Sequence, residues 1–498
     1  MNKIIDLIKK NKLEIIVFVA GCIEMSLELV AARTFSPHVG SSTLVWTIII
    51  GMILIFMSVG YAVGGKLADK HHDIRSLSRF LMIAGMFISL IPILEVIVLQ
   101  PLSKVIPSLE VTAFICSVIM FGIPCMILAA ISPYAVKLKE IETTDKNSIG
   151  RISGRMSAVS TIGCIIGTFL TGFVLIPLIG AKAIVLSSSI ILLVLNLLLS
   201  GFKSIKKVIV NLFLILSACV IFAIGIYSYN IVNNNIIKEV DSRYGRIQVI
   251  KRTLANGQEV KYIKVGPKGA ESIIYDNGTI GTYTYFFDLP KYYYKNYSKS
   301  LLIGGAAYTY PTYFYSDERN KDIKMDVVEI DPVMTEIAVS EFDLDLSNPS
   351  LKNITQDARS YINFTDEKYD AIFMDAFKGD EVPFELTTIQ CVHKMKDMLN
   401  ENGVIIVNLL SAVEGAEEDF LHHEYATYKA CFDDVKVYKV HKEVANDEYQ
   451  NIELIAFKGN IDANDEYKYL IDNLAENEVI GFETNYSIST DDIAPIGN

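Results

Sequence analysis

The first 230 residues form long apolar runs separated by short polar connections, whereas the remaining residues alternate short apolar runs with polar segments. A run of about 20 apolar residues is long enough to cross a bilayer as a helix. Seven such runs predict seven membrane spans at roughly 14–32, 43–64, 80–99, 111–133, 157–178, 181–200 and 208–229. The pattern therefore predicts an α-helical multi-pass membrane domain over residues 1–230, followed by a soluble part.

Charge divides the chain at the same place. Residues 1–230 carry 19 Lys and Arg against 11 Asp and Glu, whereas the remainder carries 26 against 46. Within the membrane part, basic residues concentrate in every second connection, starting with the N-terminus, and the alternate connections hold only Arg33, Lys104 and Lys182. By the positive-inside rule, the N-terminus is expected in the cytoplasm. The acidic soluble part argues against nucleic acid as a partner and is compatible with a cationic substrate.

Two features of the membrane part concern helix packing and buried charge. Gly60-x-x-x-Gly64 and Gly163-x-x-x-Gly167 place small residues on one helix face, which is typical of close helix packing. Glu24 and Glu28 lie four residues apart inside the first apolar run, where a carboxylate is costly unless it faces a partner or a watery cavity. Pairing with a basic residue such as Arg33 and a path for a cation or polyamine both stay open.

The soluble part begins with short alternating runs and continues with strands that alternate with helices. Arg246–Lys251, Lys261–Val265 and Ser272–Tyr275, separated by glycines, predict a small β-meander within residues 240–290. From residue 291 to 498, buried strands that alternate with helical stretches predict a parallel sheet of Rossmann type. The runs that predict these strands lie at 300–305, 325–330, 369–375, 404–409, 435–440 and 452–457.

The residues that carry chemistry lie at the ends of these strands. Gly304-Gly305 allows a ligand to approach the backbone after the first strand. Glu329 ends the next strand, 24 residues beyond Gly305, where an acid can accept both ribose hydroxyls. Asp357 and Ala358 follow the next connection and are candidates for binding adenine, and Asp375 ends the fourth strand. Together these residues predict an adenosine site at the carboxyl edge of the sheet, with no metal.

The order of the motifs gives a more specific resemblance. Asp241–Tyr244, Leu301–Gly305, Val328–Asp331, Asp357–Arg359 and Tyr369–Asp375 resemble the spermidine synthase (polyamine aminopropyltransferase) family, and the whole chain resembles a bacterial subgroup in which such a domain follows membrane helices. The resemblance implies that the chain binds S-adenosylmethionine or its decarboxylated form as a substrate. It also implies that Glu329 holds the ribose, that Asp357 holds the adenine, and that Asp375 orients and deprotonates an attacking amine.

The chain departs from that family where the amine would be held. Soluble spermidine synthases have an aspartate in the glycine-rich turn, and Ala307 occupies that position here. Gly245 replaces a glutamine, and the stretch Thr282–Tyr285 replaces an acidic pair. Two readings of the aromatic residues stay open: a wall that holds a sulfonium by cation–π contact, or side chains that only line the sheet. These residues are Tyr283, Tyr285, Tyr308 and Tyr310. The possible substrate contacts are Tyr244, Tyr283, Tyr285, Tyr308 and Asp380.

Three functions stay open at this point. The first is aminopropyl transfer from decarboxylated S-adenosylmethionine to a polyamine, with release of methylthioadenosine. The second is a lyase reaction in which the carboxylate of S-adenosylmethionine attacks its own side chain, giving a lactone and methylthioadenosine, and the loss of an acid at Ala307 favours it. The third is a membrane transporter or sensor whose soluble domain binds a nucleoside without turnover.

The expected location is a bacterial cell membrane, with the chain in a homo-oligomer. Seven spans from a cytoplasmic start leave the C-terminal domain outside, whereas the pool of a nucleotide-type ligand is intracellular. The location of that pool favours a cytoplasmic catalytic domain, and the side of the domain stays open.

Overall fold

The structure is a computed structural model that describes residues 11–40, 42–143, 149–200, 205–267, 272–376, 383–459, 474–482 and 485–491. The chain divides into two compact units, Met1–Gln248 and Val249–Asn498. The first is helical for most of its length, and the second is built around a β-sheet.

In the described part of unit 1, six helical runs are long and apolar enough to cross a membrane, judged by length and composition. They are α1 (Lys12–Val39), α2 (Thr43–Lys70), α3 (Ile74–Val105), α4 (Leu109–Glu142), the run Ile149–Ser200, and α7 (Ile205–Val232). The fifth run, 52 residues long, consists of α5 (Ile149–Leu170), a π-helical turn (Thr171–Leu175) and α6 (Ile176–Ser200). Its backbone leaves helical geometry at Gly180, where φ is 75° and ψ is 163°.

The two glycine pairs bring helices into backbone contact, as the sequence predicts. Gly60 and Gly64 pack on the backbone of α4, and a Cβ atom at Gly60 would lie 2.1 Å from the carbonyl oxygen of Met126. Gly163 and Gly167 pack in the same way on the backbone of α1. Because a side chain at any of these positions would overlap main-chain atoms, glycine is required for these helices to approach so closely.

Contacts between the helices also show their directions. Gly163 meets Phe18 and Gly167 meets Cys22, so α5 runs parallel to α1. Helix α4 is antiparallel to both α1 and α3, and α6 is antiparallel to α3. The contacts that set these directions are Lys12–Glu142, Tyr134–Asp73, Ser78–Asn196 and Gly85–Ser189. Helices α5 and α6 are therefore two antiparallel segments, so the described helices form seven alternating segments that correspond to the seven apolar runs. Their crossing of a bilayer stays a prediction.

The strand that follows α7 attaches to the end of the bundle where α5 turns into α6. Within β1 (Ile236–Asp241), the Asp241 carboxylate accepts a hydrogen bond from the backbone N–H of Ala181 at 2.7 Å. Arg246, which is fully buried, donates to the other oxygen of Asp241 at 3.0 Å. Because the turn at Gly180 lies at the Val39 end of α1, β1 leaves the bundle at the end opposite Lys12.

The structure shows the surroundings of Glu24 and Arg33, two charged residues of α1. Glu24 is buried, and its Oε1 atom has no hydrogen-bond partner among the residues that the structure describes. Arg33 donates to the carbonyl oxygen of Arg243 at 2.5 Å, and its pairing with Glu24 or Glu28 stays a prediction. The alternative of a cation path at Glu24 and Glu28 stays a prediction.

Two sheets organise the strands of the described chain. The smaller sheet is a meander in the order β1-β2-β3-β4, formed with β2 (Arg246–Thr253), β3 (Glu259–Lys264) and β4 (Ser272–Tyr275), and the division between the units falls within β2. The larger sheet, in unit 2, has the order β10-β11-β9-β8-β5-β6-β7. Its strands are β5 (Lys299–Ile303), β6 (Lys324–Glu329), β7 (Leu351–Thr355), β8 (Tyr369–Met374), β9 (Leu399–Ser411), β10 (Asp434–Lys439) and β11 (Gln450–Phe457).

The larger sheet is parallel from β7 to β9, and β11 is antiparallel to its neighbours. Described helices of unit 2 connect the strands: α8 (Pro290–Tyr293), α9 (Thr309–Ser316), α10 (Pro332–Glu341), α11 (Ala358–Phe364), α12 (Ile389–Met398) and α13 (Asp419–Cys431). A 3₁₀ segment, Thr282–Asp288, precedes α8. The fold class predicted from the sequence, a helical membrane-type domain with a small meander and a Rossmann-type α/β domain, is confirmed.

Candidate active site

The chain order of the larger sheet reverses between β5 and β8, and a crevice at such a reversal is where α/β sheets bind ligands. Glu329 ends β6, Asp357 follows β7 by two residues, and Asp375 follows β8 directly. These three acids therefore lie at the carboxyl ends of neighbouring parallel strands, and Gly304 follows the strand between β6 and β8.

The turn after β5 depends on Gly304. Its φ is 90°, and a Cβ atom there would lie 2.2 Å from the carbonyl oxygen of Asp375. Ala306 and Tyr308, which follow in the same turn, also have positive φ values of 43° and 54°. Non-glycine residues pay roughly 1–2 kcal/mol for this left-handed conformation, so other contacts must hold the turn in place.

Glu329 provides those contacts. One carboxylate oxygen accepts hydrogen bonds from the backbone N–H groups of Gly305 and Ala306, both at 3.0 Å, and the other accepts from Asp331 at 2.9 Å. The predicted ribose-binding acid is therefore buried at the edge of the crevice and also shapes the glycine turn.

Asp357 has a structural role at the same edge. Its side chain caps the N-terminus of α11 by accepting a hydrogen bond from the N–H of Ser360 at 2.8 Å, and Ala358 is the first residue of that helix. Asp357 is exposed, and the N–H of the preceding Gln356 donates to the Glu329 carbonyl at 3.2 Å. The structure thus brings Asp357 beside Glu329, and its predicted contact with adenine stays a prediction.

Asp375 is held by two side chains. Asn408 donates to its Oδ1 atom at 2.8 Å, and the Tyr283 hydroxyl donates to its Oδ2 atom at 3.0 Å. Protein surrounds the carboxyl group on most sides, and this burial raises its pKa to about 7, although both hydrogen bonds act to lower the pKa. A side chain with a pKa near neutrality can take up and release a proton at physiological pH, as a general base must.

The predicted tyrosine contacts are spread over different places. Tyr283 reaches Asp375, whereas Tyr285 packs edge-on against Tyr313 with ring centroids 5.6 Å apart. Tyr308 is fully buried and its hydroxyl bonds Asn353 at 2.6 Å, and the Tyr310 hydroxyl is buried against the Phe287 carbonyl at 2.8 Å. The structure therefore brings Tyr283 alone of these four to Asp375, and the roles proposed for the others stay predictions.

Two further predicted substrate contacts stay predictions. Tyr244 lies in unit 1, where it is exposed, and Asp380 lies outside the described residues. Ala307 is fully buried, and its backbone N–H donates to the Ser272 hydroxyl at 3.2 Å.

Sequence reasoning missed two polar residues near Asp375. Asn408 interrupts the apolar run of β9, and Glu453 interrupts that of β11, where it is completely buried. A single polar residue within an otherwise apolar run of a strand is the signal that could have identified them, because burying such a group is costly unless it has a partner.

This fold and this set of acids define a Rossmann-type α/β domain with acidic residues at the carboxyl ends of its parallel strands. No protein-family model matches the chain. It is 35% identical over 125 residues to the polyamine aminopropyltransferase of Vibrio vulnificus, a match that covers 24% of this chain and 40% of that protein. It is 31% identical over 88 residues to the probable polyamine aminopropyl transferase of Bifidobacterium longum, covering 18% of this chain and 19% of that protein.

Among solved structures, the chain resembles a probable spermidine synthase from Corynebacterium glutamicum, with 19% identity, a TM-score of 0.40, and coverage of 48% of this chain and 87% of that one. The spermidine synthase-like resemblance predicted from the motifs is confirmed by the two curated relatives. The chain spans less than half the length of either.

Proposed function

We propose that this chain is a membrane-bound aminopropyltransferase that uses decarboxylated S-adenosylmethionine and a cationic amine, and that releases methylthioadenosine. The observation that carries the proposal is the environment of Asp375. It lies where the strand order reverses, is oriented by Tyr283 and Asn408, and has a pKa raised to about 7. The resemblance to polyamine aminopropyltransferases supports the same chemistry.

In the proposed reaction, the amine nitrogen attacks the aminopropyl carbon that is bonded to the sulfonium. A carbon–nitrogen bond forms while the carbon–sulfur bond breaks, and its electron pair stays on sulfur, so methylthioadenosine leaves as a neutral thioether. The nitrogen loses one proton, which Asp375 accepts. Glu329 would bind the ribose and Asp357 the adenine. The protein thus contributes alignment, proton acceptance and negative potential around a cationic reactant.

The second candidate is the lyase reaction, because Ala307 is a buried, apolar residue where the related enzymes hold an amine with aspartate. In this reaction, the carboxylate of intact S-adenosylmethionine attacks its own γ-carbon. The carbon–sulfur bond breaks, giving homoserine lactone and methylthioadenosine. No external amine is consumed, so the two candidates differ in a measurable way.

The test uses the full chain purified in detergent. Methylthioadenosine is measured with intact or decarboxylated S-adenosylmethionine, each with and without a diamine or triamine. Release that requires both the decarboxylated substrate and an amine supports transfer, whereas amine-independent release from the intact substrate supports the lyase. Binding of an adenosyl ligand without release by either route would refute both and favour a sensor or transporter.

The variant Asp375→Asn separates catalysis from binding. Loss of a general base lowers rates by roughly 10²–10⁴-fold, and asparagine keeps the shape of the side chain. We expect that loss in the turnover number while the affinity for the nucleoside stays within about threefold of the wild type. An unchanged turnover number would remove Asp375 from the proposed role.

A further inference from the structure

Glu453 is a buried carboxyl group near the candidate active site. It lies on β11, a strand between β9 and β10, and its exposed fraction is 0%. Neither carboxyl oxygen has a hydrogen-bond partner among the residues that the structure describes. An unpaired carboxylate in such a position costs several kcal/mol, so the group must be either neutral or matched by a cation.

The position of Glu453 connects it to Asp375. In the strand register Glu453 lies opposite Asn408 of β9, the residue that donates to Asp375. Asn451, two residues before Glu453 and therefore on the same face of β11, donates to Asn408 Oδ1 at 2.8 Å. The negative charge of Asp375 adds to burial in raising the pKa of Glu453 well above its ordinary value. One face of β9 and β11 thus carries a polar patch that leads from Asp375 to Glu453.

The 3₁₀ segment Thr282–Asp288 covers this patch. It packs against β9 and β11, and its Tyr283 hydroxyl is bonded to Asp375. Further along the segment, Phe286 packs against Tyr438, the residue that lies opposite Glu453 on β10, with ring centroids 6.0 Å apart. The segment that orients Asp375 is therefore also the cover over Glu453, and a ligand that reaches Glu453 must displace part of it.

We propose that Glu453 binds an ammonium group of the acceptor, so that the acceptor is a diamine or polyamine with one nitrogen at Asp375 and a second at Glu453. This proposal rests on the proposed function. Asp375 follows β8 and Glu453 lies on β11, two strands away, which corresponds to roughly 10 Å between the strands. An amine with two charged ends separated by a short apolar spacer matches two carboxyl groups at that separation.

The proposal also explains how the site manages without an acid at Ala307. Asp375 follows β8. Ala307 follows β5, which lies on one side of β8 in the sheet, whereas Glu453 lies on β11, which is on the other side of β8. A carboxyl group lost from one side is thus replaced by one on the opposite side. Two carboxyl groups near the reacting amine also disfavour a substrate that carries its own carboxylate, which favours the decarboxylated nucleoside over the intact one.

The experiment compares 1,4-diaminobutane with 4-amino-1-butanol, in which a hydroxyl replaces one ammonium, as acceptors at saturating nucleoside. The full chain in detergent is assayed as wild type, Glu453→Gln and Glu448→Gln. Glu448 is an exposed glutamate shortly before β11 and provides the matched control. A hydrogen bond to a charged group is worth about 1.5–3 kcal/mol, so Glu453→Gln should lower kcat/KM for the diamine by roughly 10–100-fold. The amino alcohol should change by less than about threefold, as should the KM for the nucleoside.

Each outcome decides the proposal. An equal loss for both acceptors would show that Glu453 is structural, and no loss for either would show that it does not contact the amine. If the variant does not fold, the wild type still provides a test, because a diamine preference below about threefold contradicts a second charged contact. If the wild type releases no methylthioadenosine with any acceptor, the proposed function fails, and calorimetric titration of the diamine then tests Glu453 separately. Tighter diamine binding by the wild type than by Glu453→Gln would support the amine site, and equal or absent binding would overturn it.

Discussion

The hydrogen bond from Tyr283 to Asp375 leads to a quantitative prediction about pH. The bond, 3.0 Å long, stabilises the ionised carboxylate and so opposes the increase in pKa that burial causes. In Tyr283→Phe that opposition is lost while the ring remains. A hydrogen bond to a charged acceptor is worth about 1.5–3 kcal/mol, and 1.36 kcal/mol corresponds to one pH unit. The pKa of Asp375 should therefore rise from about 7 by roughly one to two pH units.

The sign of the kinetic effect follows from the role of Asp375 as a base. Only the ionised form accepts a proton, so kcat/KM falls on the acid side of the pKa. In the wild type this acid limb should lie near pH 7. In Tyr283→Phe it should move to higher pH, so that activity at pH 7 drops by roughly 5–50-fold and recovers substantially above pH 9.

The assay is methylthioadenosine release at several pH values between about 5.5 and 9.5, with kcat/KM measured for the nucleoside. Tyr285→Phe is the matched control. Tyr285 lies two residues after Tyr283 in the same 3₁₀ segment, and its ring packs against Tyr313 rather than reaching Asp375. An acid limb that stays in place in Tyr283→Phe, or that moves equally in both variants, would refute the assignment of the limb to Asp375.

Three further predictions concern the turn, the nucleoside and the membrane. Gly304→Ala should lower the Tm by several degrees more than Gly257→Ala. Both glycines have a positive φ, but of the two only Gly304 has backbone atoms where the new Cβ atom would lie. Equal decreases in Tm would contradict this. Glu329→Gln should weaken nucleoside binding at least about tenfold in calorimetry, since the amide cannot accept hydrogen bonds at both ends, and unchanged affinity would remove Glu329 from the site. For topology, seven crossings from a cytoplasmic start predict that Lys394→Cys reacts with a membrane-impermeant maleimide in spheroplasts whereas Asp69→Cys does not. A Lys394→Cys variant that stays unreactive would place unit 2 in the cytoplasm.

Engineered cysteines are required in the topology experiment because the natural thiols of unit 2 are inaccessible. Cys391 and Cys431 are both buried, at 0% and 7% exposure. Lys394 is exposed on α12, and the side chain of Asp69, near the end of α2 that adjoins the basic connections, is 73% exposed.

Sequence patterns predicted the parts of this molecule that depend on local chemistry. Apolar runs located the membrane-type helices. The acids at the ends of β6, β7 and β8 were predicted because a strand end is marked by a change from apolar to polar residues. Gly304 was likewise identified by its position, and its φ of 90° gives the physical reason.

The remainder depended on contacts between distant segments, which periodicity does not encode. Tyr308 and Tyr283 are both tyrosines near glycines in the sequence, yet one is buried against Asn353 and the other reaches Asp375. Asn408 is 33 residues from Asp375 in the chain, and their hydrogen bond follows only from the pairing of β8 with β9. Glu453 is further still, so its relation to Asp375 required the full strand order.

The turn at Gly180 has a consequence for substrate supply. Since α5 and α6 are separate antiparallel segments, the chain passes through the bundle an odd number of times and emerges beside Ala181, away from its lysine-rich end. If the seven segments cross a bilayer with the lysine-rich end in the cytoplasm, unit 2 lies outside the cell. Under the proposed function, a nucleoside made in the cytoplasm then has to be exported before unit 2 can use it, or unit 2 has to draw on nucleosides outside the cell. A helical bundle with a buried carboxyl group in its first segment is then a reasonable place to look for the route.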